Sequence, residues 1–425
     1  MNISNKTQAF VLRFPVRTQS PEIVSVKQKT TLQQNTNHKM EKIIFELSNE
    51  QRKYLGLTPV ENNWELVKLF DSYVYFDGNI IRKEITVNEQ AYTERDLIEK
   101  TAENRTILLP KTEKGKPKKL NYTATQSFKG IGVYFSFSDS YVTISNYTTQ
   151  KTYYSENFED KKLDYLKIWL GKWISETTKE DLEEIIAFKN ADRKHCKFKE
   201  GDFFAFKIDR RNYAFGRILI DVSQRTKTNN LKENKNYGLT HLMGKALIVK
   251  LYHKISNNID VDLNELSKTL ALPSQAVMDN QFYYGEKFVI GHKPIEISEY
   301  DMLISYSKSI SSNEKSLIYL QYGFIYKEMD ISKFDKYLRI EDKSLYVGYH
   351  ENPFRNEGIV FGLDIEKLEE CIAAKSNQPY WDSNHRYDIK YDLRNPINLD
   401  IKREIFSAFG LDADKTYEQN LALTK

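Results

Sequence analysis

The chain has 425 residues, 40% of them hydrophobic, with 63 Lys and Arg against 59 Asp and Glu and only two cysteines, Cys196 and Cys371. That apolar content excludes wholesale disorder, and a net charge of +4 over this length excludes binding of nucleic acid through bulk charge alone. Two cysteines exclude a disulfide scaffold and a four-cysteine zinc module.

Residues 1–39 carry six basic side chains against Glu22 and read as a basic flexible tail. Met40 then opens the patterned segment MEKIIFELS and stands as an alternative start, which would make 1–39 a leader outside the protein. Residues 40–158 read as an α+β domain. Ser48 and Gln51 have capping-box spacing, with Gly56 as a helix stop. Tyr73–Phe76, the Asp77-Gly78 turn and Ile80-Ile81 predict a hairpin. A helix is expected near 93–103, then strands at 105–109, 131–137 and 141–147. Residues 159–192 read as a helical bridge, with Leu163, Leu166, Trp169, Leu170 and Trp173 at helical spacing and a restart at Thr178 with Asp181.

From 193 to 425 the pattern is that of a β-rich domain, barrel- or sandwich-like, with flanking helices. Phe204, Phe206 and Ile208 alternate, a four-residue turn follows at Asp209–Asn212, and Tyr213, Phe215, Arg217 and Leu219 alternate again. Further strands are expected at 246–252, 287–291, 317–326, 344–349 and 358–362, and helices at 262–271, at 364–375 capped by Asp364, and at 398–409 closed by Gly410. The fold class is therefore α+β. No stretch reaches the length of a membrane span, and two cysteines without an apolar leader segment point to the cytoplasm.

No catalytic motif stands out. Gly115-Lys116 lacks the remainder of a phosphate loop, and Gly130-Ile-Gly132 runs into a strand rather than a dinucleotide-binding helix. The histidines form neither HxH nor HExxH, although His241, His253 and His292 share the β-rich segment and could converge with nearby acids on a metal. His195 and Cys196 are chain neighbours, a poor arrangement for a dyad, and Cys371 falls on an apolar helix stripe. Glu296, Glu299 and Asp301 cluster after a turn, as acid–base groups or as a loop that meets a partner. Two basic stretches remain, 111–129 and 189–235, the second with thirteen Lys and Arg against six acids and interleaved aromatics. Such a stretch suits a nucleic-acid backbone, an acidic protein face, or simply a solvated surface over a packed core. No cofactor is called for.

The string FKEGDFFAFKIDRRNYAFGRILI at 198–220 resembles the opening hairpin of the immunity protein 26 family of bacterial polymorphic-toxin systems. The matching positions are Lys199, Gly201, Asp202, Tyr213, Phe215, Gly216 and Arg217, with later landmarks at Ile290–Pro294 and Tyr322–Phe324. The resemblance covers about 195–330 and at its widest reaches 410. It implies a mainly β fold and a protein that neutralises a cognate toxin by binding it. Some members carry a phosphotriester-hydrolase label, for which this chain lacks the HxH pair. Under the resemblance, Arg210, Arg211, Tyr213, Arg217, His292 and Lys293 are expected to meet the partner, with Arg210 and Arg211 steering association, while Gly201, Asp202, Gly216, Gly291 and Pro294 hold the motif's shape. Arg217 shares a strand face with Phe215 and Leu219 and requires a carboxylate, for which Asp202 is a candidate; otherwise Asp202 caps the turn. The alternatives are a metal-dependent phosphoester hydrolase and a nucleic-acid-binding protein.

Overall fold

The computed structural model describes residues 43–109, 114–228, 245–308, 317–338, 354–355, 359–360, 363, 365–373 and 391–424. The expected tail, the start at Met40, the strand at 344–349, Asp364 and His241 lie outside them. Ile43–Lys425 forms one compact unit. The strands are β1 (Glu65–Leu69), β2 (Ser72–Asp77), β3 (Ile80–Val87), β4 (Tyr92–Thr101), β5 (Ile107–Leu109), β6 (Lys118–Lys119), β7 (Ile131–Phe137), β8 (Tyr141–Asn146), β9 (Lys151–Asn157), β10 (Asp202–Lys207), β11 (Tyr213–Asp221), β12 (Ala246–Ser256), β13 (Gln275–Met278), β14 (Phe288–His292), β15 (Ile304–Lys308), β16 (Leu317–Tyr322), β17 (Ile325–Asp330) and β18 (Ile359–Val360).

The first sheet runs β1-β2-β3-β4-β7-β8-β9, with β5 and β6 extending the end of β4. Its pairs are antiparallel, and Gly78 supplies the positive φ of the β2–β3 turn. One face packs against three helices: α1 (Asn49–Tyr54), and, after a short α2 (Tyr122–Thr125) elsewhere, α3 (Leu163–Glu176) and α4 (Lys179–Lys189). Ser48 accepts the Gln51 backbone N–H while the Gln51 side chain accepts from Ser48, so α1 begins on a full capping box; Thr178 and Asp181 do the same for α4. Leu166, Trp169, Leu170 and Trp173 form the buried stripe of α3.

Residues 93–103, expected as a helix, are strand β4. Its inward positions Tyr92, Glu94 and Asp96 alternate at period two with Thr93 and Arg95, but two of the inward residues are charged, which hides the alternation. Glu94 is fully buried, and Lys83 and Arg52 meet it at 2.7 and 2.8 Å. Burial alone would raise its pKa, but these two cations hold it below the ordinary value.

The second sheet runs β14-β10-β11-β12-β13-β18, antiparallel except for the parallel β13–β18 pair. The third is the β15-β16-β17 meander. Residues 317–326, expected as one strand, are a hairpin that turns at Gly323, φ +54°. The sheets are open and no barrel closes among the described residues, so the barrel expectation is not met. Along the chain follow α5 (Val222–Thr228), α6 (Leu263–Lys268), α7 (Asn280–Tyr283), α8 (Ile365–Ala373), α9 (Leu399–Ala408) and α10 (Tyr417–Ala422). Among the described residues no helix is long and apolar enough to cross a membrane.

Candidate functional site

The β10–β11 hairpin is the frame of the site. Phe203, Ala205, Phe215 and Tyr252 belong to a buried cluster that α6 covers, while Phe204, Phe206 and Ile218 belong to a second one. Register places Gly291, Phe203, Arg217 and Lys250 in one row across β14, β10, β11 and β12. Arg217 is fully buried, with its guanidinium 4.5 Å from the Phe203 ring. It pairs with Glu299 and donates to the carbonyls of Lys293 and Pro294, both at 2.8 Å.

Those acceptors all lie on residues 293–299, a strap that leaves β14 and passes over the end of the row. Glu299 Oε1 takes Arg217, and Oε2 accepts the Glu296 backbone N–H at 2.9 Å. The strap is thus closed on itself and held to the sheet by Arg217, with the Lys293 backbone N–H donating to the Gly201 carbonyl at 3.2 Å. Lys250 lies 3.9 Å from the same carboxylate; burial lowers its pKa and Glu299 opposes the shift. Upstream, the Gly201 backbone sits at φ +89° against the strap, and a Cβ there would collide with the Lys293 carbonyl. Gly291 leaves the space that Leu263 fills.

Asp202 is not the partner of Arg217. It accepts the Lys199 backbone N–H at 2.9 Å, which caps the turn before β10, and its other oxygen faces His292 Nδ1 at 2.8 Å. Gly216 lies where the β11 register shifts, and a Cβ would collide with the Phe204 ring and the Lys250 carbonyl.

The structure brings together Gly201, Asp202, Arg217, Gly291, His292, Lys293 and Pro294. It places Arg210, Arg211 and Tyr213 at the opposite end of the hairpin, where the two arginines bond within the chain. Arg210 lies 3.7 Å over the Trp173 ring and donates to the Trp173 carbonyl and Thr177 Oγ1; Arg211 pairs with Asp181 at 2.6 Å. Tyr213 packs edge-on against Phe288. Sequence reading missed Lys250 and the role of Glu299 as anchor; the spacing of Glu296 and Glu299 was the available signal.

Phe203, Phe204, Phe206 and Phe215 are core, so none of these four rings is free to stack on a base. His253 on β12 and His292 on β14 are separated by two strands, about 14 Å at the usual strand spacing. Among the described residues no three His, Cys, Asp or Glu group to hold a metal. His195 stacks on Tyr283 at 4.4 Å, and Cys196 donates its backbone N–H to the same residue.

Exposed to solvent here are His292 at the end of β14 and Pro294, Glu296, Ser298 and Ile297 on the strap, the last 66% exposed. This surface is mixed polar and apolar. Residues 199–317, which contain the hairpin, the arginine anchor and the strap, match the family model described as immunity protein 26. Comparison with curated proteins finds no match, and neither does comparison with solved structures.

Proposed function

We propose that the chain is an immunity protein that neutralises a cognate protein toxin by stoichiometric binding, without catalysis. The observation that carries this reading is the family match over residues 199–317, in which a buried arginine pins an exposed strap. His292 and the strap residues Lys293, Glu296 and Ile297 form the contact surface, and binding occludes a surface the toxin needs. Arg217 acts through the strap and does not itself touch the partner, since it is buried. Preorganisation by the anchor reduces the ordering cost of association.

Capture of the tagged full chain from its native cells, with mass spectrometry, tests the reading. One stoichiometric protein partner is expected, toxic when expressed alone and harmless when co-expressed with this chain. Growth arrest that persists at full co-expression of the two would overturn the proposal.

A further inference from the structure

The outer face of the first sheet carries a feature unrelated to the strap. Between the β1–β2 turn, α2 and the centre of the sheet lies a cavity of about 350 Å³, near the lower end of the range of about 300–1,000 Å³ for small-molecule sites. No aliphatic side chain lines it. Its floor is the Glu84–Arg95 ion pair at 2.6 Å, with Ser72 donating to Glu84 at 2.9 Å and Thr86 and Thr93 beside them.

Its walls are Phe70, Tyr122 and Tyr147. Phe70 and Tyr122 meet edge to face at 6.1 Å yet remain 45% and 51% exposed. Phe70 stands at φ +58°, a left-handed position that a bulky side chain rarely adopts, so the turn presents a ring at the rim where glycine would cause no strain. Tyr147 is braced from behind by stacking on Tyr134 at 4.2 Å, and Gly130 leaves the room its ring occupies.

This lining favours a ligand with both polar and apolar faces. Arg95 is already paired with Glu84, Asp71 adds one further charge, and the apolar surface is that of the three rings. A neutral polyol meets donors and acceptors on the floor, and its C–H face suits the electron-rich faces of the rings. We infer that this cavity binds a pyranose sugar, with the ring against Phe70, Tyr122 or Tyr147 and its hydroxyls on the hydroxyl and ion-pair floor. The site lies N-terminal to the residues that match the immunity family, and it stands or falls independently of toxin binding.

Saturation-transfer NMR on the full chain tests it, with D-glucose, D-galactose, D-mannose, N-acetyl-D-glucosamine, cellobiose and chitobiose as probes. Transfer to the ring C–H protons of at least one probe is expected. Phe70→Gly, which removes the ring and relieves the backbone, and Tyr122→Ala on the surface should each weaken that binding about tenfold or more while thermal melting shows a folded protein. Binding of a monosaccharide marks a free sugar as the ligand, and binding of the disaccharides alone marks a glycan chain. No transfer to any probe, or transfer unchanged in both variants, overturns the inference.

Discussion

Arg217 concentrates the largest single-residue effect in the site. Its replacement by Met leaves the partly buried Glu299 carboxylate and the Lys293 and Pro294 carbonyls without the buried guanidinium that serves all three. Loss of one partner from a buried pair costs about 3–5 kcal/mol, and urea unfolding of Arg217→Met should show a loss of that order. Ile297 is the contrary case. Its side chain is largely in solvent, so Ile297→Asp should leave the melting temperature within error and weaken partner capture by about tenfold or more, read by titration against the captured protein. Lys287 is a third type. Its burial lowers its pKa to about 8, against the attraction of Glu286, with its ammonium 4.0 Å from the Phe206 ring. Between about pH 8 and the unfolded value near 10.4 the unfolded chain holds the proton and the folded chain does not, so stability rises with pH across that window. Lys287→Met should therefore be more stable than the parent at pH 7, by an amount that shrinks as the pH passes 8 and rises towards 10; a pH-independent difference in unfolding free energy would contradict it.

At the scale of elements, the tip of the β10–β11 hairpin is clamped to the helices by Arg210 and Arg211. Substitution of both by Glu would set two acids against Asp181 and pull the tip from the α3–α4 junction, so a slower association in that variant would not isolate electrostatic steering. Arg210→Ala alone removes the contact over Trp173 and two hydrogen bonds, and a loss of about 1–3 kcal/mol is expected in thermal or urea unfolding. Strand β4 shows why a local pattern misled. Its charged inward residues look like the polar face of a helix until Lys83 and Arg52 arrive from β3 and α1 to pair with them. The hairpin of residues 202–221 was legible because its inward residues are apolar, and Thr178 was legible because a cap is a short-range event.

For the molecule as a whole, part of the positive charge across 189–228 is answered inside the fold. Lys207 pairs with Glu184, Arg211 with Asp181, Arg217 with Glu299 and Arg225 with Glu200. The proposed contact surface holds Lys293 against Glu296, so association with the partner should depend weakly on salt, with an on-rate that changes by less than about tenfold between low and high ionic strength in stopped-flow mixing. The sequence by itself determined the β-rich α+β class, the hairpin that opens the family match and the turns and caps that depend on neighbours a few residues apart. Only the tertiary structure decided that Glu299 rather than Asp202 receives Arg217, that the tip arginines bond to the α3–α4 junction, and that Glu84, Arg95 and three distant aromatics line one cavity. Those outcomes join residues tens of positions apart, up to 82 for Arg217 and Glu299, and they follow from strand register and sheet order, which local propensity does not encode.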